Sequence, residues 1–148
     1  MLCGCEGTTF NSSVPRVGVR ISINTREGAF VHFQPENTGS YVVVNKDGYF
    51  LNGTFVKGAN ALDMFGYGGV LVYVSMFGYV AFDLACPDCA AHGRRVPCEV
   101  NGGTVTCPHC GEEYTVFDGS AMPSKGISKE ALLRLTVNQS GDIIRINQ

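Results

Sequence analysis

Residues 86–111 read CPDCAAHGRRVPCEVNGGTVTCPHCG, and the rest of the chain is best understood from them. Two Cys-x-x-Cys pairs, Cys86/Cys89 and Cys107/Cys110, are separated by 17 residues. At that spacing two short thiolate turns can close around one tetrahedral ion. Pro87 and Pro108 follow the first Cys of each pair. Each fixes φ and stiffens its turn. Gly111 ends the second pair and permits the positive φ that such a turn often needs. The pattern predicts a metal site with Cys86, Cys89, Cys107 and Cys110 as its ligands.

The sequence on either side reads as strands joined by tight turns. Residues 17–24 (VGVRISIN) alternate apolar and polar with period two, which predicts a half-buried strand. Residues 29–33 (AFVHF) form a second short apolar run, closed by Pro35 and Asn37. Tyr41–Val44 and Tyr49–Leu51 flank the turn signal Asn45-Lys46-Asp47-Gly48. Residues 57–69 are loop-like, with a single helical turn expected around Ala61–Phe65. Val70–Val74 and Tyr79–Phe82 form a strongly apolar hairpin that leads into Cys86. This run is too short for a membrane-spanning helix, which needs about 20 apolar residues. Its β-branched and aromatic content fits central strands.

Arg94–Val96 and Thr104–Thr106 are expected as strands around Asn101-Gly102-Gly103, and Glu113–Phe117 runs into a corner at Asp118-Gly119. Leu132–Val137 and Asp142–Ile146 close the chain as a last hairpin, with a helical start conceivable over Ser128–Leu133. No long amphipathic helix is visible, so the expected class is all-β.

The chain has 148 residues, 19 Gly and a formal charge of −2, with a pI near 5.9. That length suits one domain with its own core, so the metal need not be the sole source of order. The charge balance offers no evident basic face for phosphate backbones, and there is no Trp to stack on bases. Nucleic acid is therefore not expected as a partner. A catalytic set is also missing: no defensible Ser/His/Asp order, paired carboxylates or phosphate-cradling loop is found. Gly66-Tyr67-Gly68-Gly69 lacks a following Lys and helix, so it reads as a turn leading into a strand. A zinc ion held by four protein ligands has no open position for water, which argues against hydrolysis.

At the N-terminus, Leu2-Cys3-Gly4-Cys5 reads like the end of a lipoprotein signal whose charged and apolar regions lie upstream. On that reading residues 1–16 are a truncated signal remnant and tether, and Cys5 is the lipidated residue. The protein would then sit on a bacterial cell envelope, periplasmic or surface-facing, touching membrane only through its lipid. Such a compartment is oxidising, so disulfides compete with a metal for the cysteines.

The second half resembles the Rieske domain. Residues 81–87 (AFDLACP) look like the strand that delivers the first cluster loop. Residues 107–119 (CPHCGEEYTVFDG) look like the second loop and its following hairpin, and residues 132–146 like the terminal hairpin. Gly68-Gly69-Val70-Leu71-Val72, followed by Ala81-Phe82-Asp83 and Cys86-Pro87, is similar to Rieske-like bacterial lipoproteins. The resemblance covers roughly residues 66–148. It implies a Rieske-like β-sandwich over 17–148 with an inserted rubredoxin- or zinc-ribbon-like lobe at about 84–118. A Rieske centre uses Cys-x-His and Cys-x-x-His, the two His sharing one iron. Here Asp88 and Cys110 stand in the two His slots, and Met122–Gly126 replaces the family's Gly-Pro segment.

Four thiolates suit one zinc ion, a rubredoxin-type iron or a low-potential [2Fe–2S] cluster; the metal-free alternative is a pair of disulfides. Asp88, His92 and His109 are candidates for supporting positions around the ligands, and Arg94 and Arg95 for balancing their charge. Cys98 has no partner by spacing and is expected to pack as a buried apolar thiol. The sequence thus points to a metal-binding envelope lipoprotein whose four-Cys site holds one structural zinc ion and whose role is binding or scaffolding with an unidentified protein partner; the alternative is an iron–sulfur or rubredoxin-type electron-transfer protein.

Overall fold

The computed structural model describes residues 12–125 and 130–148; Cys3 and Cys5, with the lipoprotein reading they carry, lie outside them. Alternation makes β1 (Val19–Asn24), whose Ile21 and Ile23 are buried while Arg20 and Ser22 face solvent. The hairpin around Asn45–Gly48 is β2 (Tyr41–Asn45) and β3 (Gly48–Leu51). β4 (Thr54–Lys57) and the two-residue β5 (Met64–Phe65) follow. The apolar hairpin is β6 (Val70–Ser75) and β7 (Gly78–Asp83), and every residue of β6 is buried, as suits a central strand.

Beyond it lie a short helix α1 (Pro87–Ala91) and the strands β8 (Glu99–Asn101), β9 (Thr104–Thr106), β10 (Glu113–Thr115) and β11 (Met122–Lys125). β12 (Arg134–Ser140) and β13 (Ile143–Asn147) end the chain. The fold is all-β: a nine-stranded antiparallel sheet ordered β4-β3-β2-β6-β7-β12-β13-β1-β5, and a four-stranded sheet ordered β11-β10-β9-β8.

Pleating sorts the side chains into two cores. The large sheet curls around Ile21, Ile23, Val42, Val44, Val70, Val72 and Ile146, and Phe30 and Phe33 plug that core. Its opposite face at β6 and β7 presents Leu71, Tyr73, Val80 and Phe82 to the small sheet, which contributes Val105, Tyr114 and Val116. Cys86, Cys89 and Cys107 belong to this second core.

Several local expectations are corrected. Residues 28–32 form a 3-10 turn, because Phe30 and Phe33 insert from one side and alternation along a strand would separate them. Ala61–Leu62 is a turn leading to β5, without helix. Arg94–Val96 is irregular; the strand preceding Asn101 begins at Glu99, so the hairpin is tighter than the sequence suggests. The sequence reading contains neither β4 nor β11, which extends the small sheet to Lys125. Residues 130–133 carry no helix. No helix among the described residues is long and apolar enough to cross a membrane.

Candidate metal centre

β7 ends at Asp83, and the chain continues through Leu84 and Ala85 to Cys86 under tight control. Asp83 is fully buried, and its carboxylate accepts from the backbone N–H groups of Tyr67 (2.7 Å), Gly68 (2.9 Å) and Ala85 (2.9 Å). Burial pushes the Asp83 carboxyl up, outweighing those donors and the Arg95 charge. The same clamp explains the Gly66–Gly69 turn: a Cβ on Gly66 would lie 2.5 Å from the Asp83 carboxylate, and one on Gly68 would collide with the Ala85 backbone.

Cys86 caps α1, accepting at Sγ from the Cys89 N–H at 3.4 Å, with Pro87 in the first turn where no N–H is needed. The second knuckle repeats the device. The Cys110 N–H points to Cys107 Sγ at 3.5 Å, and the Gly111 N–H bonds the Cys107 carbonyl at 3.0 Å. Gly111 has φ +78°, the left-handed conformation expected of it. Cys107 N–H bonds the Glu112 carbonyl at 2.9 Å, which closes the loop onto β10.

The two knuckles bring the four predicted thiols together. Cys86 Sγ is 3.6 Å from Cys110 Sγ, Cys89 Sγ is 3.6 Å from Cys107 Sγ, and all four sulfurs lie within 4.8 Å of one another. With metal–sulfur bonds of about 2.3 Å, the edge of a regular tetrahedron is about 3.8 Å. The donor set therefore fits one divalent ion.

Three ligand residues are buried and Cys110 is exposed. Burial raises the Cys89 thiol, and the adjoining Cys86 and Cys107 raise it further. Burial also acts on Cys107, but N–H groups from Cys110 and His109 outweigh it and bring that thiol below the ordinary value. Cys110 is pushed up to about 11, by burial first.

The other predicted residues are placed as follows. Asp88 lies half-buried on α1, where its backbone carbonyl accepts from His92 Nδ1 at 2.9 Å. His92 and His109 are exposed, and neither ring joins the four-sulfur group. Arg95 is committed elsewhere, bonding the Tyr67 carbonyl at 2.6 Å with its guanidinium 4.8 Å from that ring. Cys98 is buried in the same core as Cys86, Cys89 and Cys107, and burial pushes its thiol up.

Sequence reasoning missed three neighbours. Tyr114 places its hydroxyl 3.7 Å from Cys86 Sγ; Asp83 anchors the approach to the first knuckle; Glu112 is buried and accepts from the Glu113 and Lys125 N–H groups at 3.1 Å. Only Tyr114 had a usable signal, as the inward position of an alternating strand after the second knuckle.

No protein-family model and no curated protein matches the chain. Among solved structures it is similar to a chain of the complex of reduced oxygenase and oxidized ferredoxin in carbazole 1,9a-dioxygenase. The two are 12% identical, with 89% of this chain and 94% of that chain covered and a TM-score of 0.46.

Proposed function

We propose that the chain is a Rieske-type scaffold whose cluster loops hold one zinc ion through Cys86, Cys89, Cys107 and Cys110, and that it acts as a binding or scaffolding protein of the bacterial envelope. The gathering of four sulfurs within 4.8 Å carries this reading. A zinc ion supplies fixed-valence cross-linking of the two knuckles. The chain's own residues orient the thiolates: the Cys89 and Cys110 N–H groups point at sulfur, and Pro87 and Gly111 fix the turns. Lipidation at Cys5 and an unidentified protein partner belong to the same proposal and rest on the sequence.

The decisive measurement is elemental analysis of protein produced with iron and zinc both supplied, together with its anaerobic visible spectrum. A colourless protein with one zinc per chain is expected. A coloured protein with one iron per chain would replace this reading by an electron carrier, which the exposure of Cys110 favours because it leaves a ligand sulfur at the surface. Acid-labile sulfide would point to a cluster and contradict the single-ion geometry. Disulfides with no stoichiometric metal would sink both metal readings.

A further inference from the structure

Where β2, β6 and β7 turn their outer face to the small sheet, the adjoining β12, β13 and β1 leave theirs in solvent. The register lines up what they carry. Arg20 on β1 faces Asn147 on β13, which faces Thr136 on β12; in the next row Ser22 faces Arg145. Arg134 stands two residues before Thr136 on the same side, and all six are exposed. The outward residues of the three strands thus present three arginines among hydroxyls and amides, with no Asp or Glu; Arg20 and Arg145 lead, since Arg134 donates to the Gly119 carbonyl at 2.7 Å and lies 5.7 Å from the Phe82 ring.

Arg16 adds a fourth charge, lining with Arg134, Thr136 and Gln148 a groove of about 540 Å³. Arg20 and Arg145 line another of about 560 Å³, closed by the loop Asn60–Asp63. The carboxylate in that wall is already engaged, for Asp63 accepts from the Tyr49 hydroxyl at 2.9 Å and the Asn60 N–H at 2.8 Å. The ion pairs among the described residues are Arg26–Asp142 and Lys125–Glu113, so none of these four arginines has a carboxylate partner there. The formal charge of −2 hides this segregation: four of the seven arginines gather on one side.

We propose that the outward face of β1, β12 and β13 binds an acidic polysaccharide, with Arg20 and Arg145 holding its carboxylate or sulfate groups. A guanidinium forks onto either group with two parallel hydrogen bonds, which an ammonium cannot do. Ser22, Thr136 and Asn147 supply the donors and acceptors that sugar hydroxyls need. Diagonal neighbours on adjacent strands lie about 7–8 Å apart, which suits a polymer with isolated acidic groups. Duplex DNA carries a charge per about 1.7 Å, and single strands need aromatic platforms that this face lacks. The proposal does not depend on which metal the thiols hold.

The test uses the whole protein, with polygalacturonate supplying carboxylates, dextran sulfate supplying sulfates, neutral dextran as control and a 20-base-pair duplex as competitor. One or both acidic glycans are expected to bind at low ionic strength and to shift amide resonances confined to β1, β12 and β13. R20Q/R145Q, at exposed positions, should keep the wild-type melting curve and weaken binding by at least about tenfold. K46Q/K57Q should leave binding unchanged. R20K/R145K keeps the charge but loses the fork, and should also weaken binding several-fold; full retention would reduce the surface to unspecific attraction and overturn the assignment. It would equally be overturned by no binding of either glycan, by binding indifferent to R20Q/R145Q, or by tighter binding of the duplex.

Discussion

Asp83 offers a sharp test of how the first knuckle is held. It is fully buried and satisfies three backbone N–H groups at 2.7–2.9 Å, two from the Tyr67-Gly68 turn and one from Ala85. Asp83→Ala leaves all three donors without an acceptor. Each orphaned buried donor costs about 1–3 kcal/mol, and water entering the vacated space relieves part of the sum, so the expected loss is about 3–6 kcal/mol. That is a large share of the roughly 5–15 kcal/mol that stabilises an ordinary domain. Asp83→Asn keeps one acceptor oxygen and should cost about 1–3 kcal/mol. Urea unfolding at constant metal loading measures both, provided the slope with denaturant stays at the wild-type value. The pH dependence gives an independent reading. Burial raises the Asp83 carboxyl in the folded protein, so the folded state binds that proton more tightly than the unfolded chain does. Its contribution to stability is therefore complete below the ordinary carboxyl range, about pH 4, and is lost as pH rises through the raised value. Wild type minus Asp83→Asn should show that decline. A loss below about 1 kcal/mol in Asp83→Ala would refute the clamp, whereas a difference curve that rises over the same window would show the three donors outweighing burial.

Other consequences are equally measurable. Cys89→Ser, at a buried ligand, should abolish stoichiometric metal and lower the melting temperature more than Cys110→Ser does, since Cys110 is exposed; equal effects would contradict the burial difference. Gly68→Ala forces a Cβ into the Ala85 backbone and should cost at least about 1–3 kcal/mol by thermal unfolding, whereas Gly58→Ala meets nothing within 4 Å and should be near neutral. Tyr49→Phe removes the 2.9 Å bond to Asp63 and should cost about 1 kcal/mol. The Tyr49 hydroxyl is pushed up, by burial first and then by Asp63, so the unfolded chain ionises it first and its stabilising effect is lost as pH rises above about 10. Ultraviolet titration against Tyr49→Phe checks that order.

The gathering of the four thiols was legible in the sequence because its information is local. Spacing within each knuckle, Pro87 and Gly111 are enough to form two thiolate turns, and 17 residues suffice to fold one onto the other. Alternation likewise announced β1, and β-branched runs announced β6 and β7. What the sequence left hidden depends on contacts between distant segments. β4 carries exposed Thr54 and Phe55 at one end and half-buried Val56 and Lys57 at the other, so its pattern is no clean alternation, and it forms because β3 offers a free edge. β11 begins Met122-Pro123, and Pro123 can sit there because β11 is the outer strand of its sheet, where a missing N–H costs nothing. Residues 29–33 look like a strand in composition and become a 3-10 turn because the core needs Phe30 and Phe33 on one side. Asp83 gave no local sign of its clamp, whose partners Tyr67 and Gly68 lie 15–16 residues back.

The choice of ligands also bears on which metal suits the proposed centre. A divalent ion with four thiolates carries a net charge of −2, where two His in place of two thiolates would leave it neutral. The two arginines nearest the first knuckle in sequence are placed otherwise: Arg95 is held by Tyr67, and Arg94 is exposed. What the chain does supply is dipoles, two backbone N–H groups aimed at sulfur and a phenol beside Cys86. Three of the four ligands lie in the apolar layer between the sheets, where an extra negative charge on reduction is costly. Reduction of an iron here would add charge to that layer, against which those dipoles and the exposed Cys110 would work. A zinc ion, as proposed, would never change its charge, so the same arrangement would cost it nothing in operation, and its binding energy would become cohesion between the two sheets.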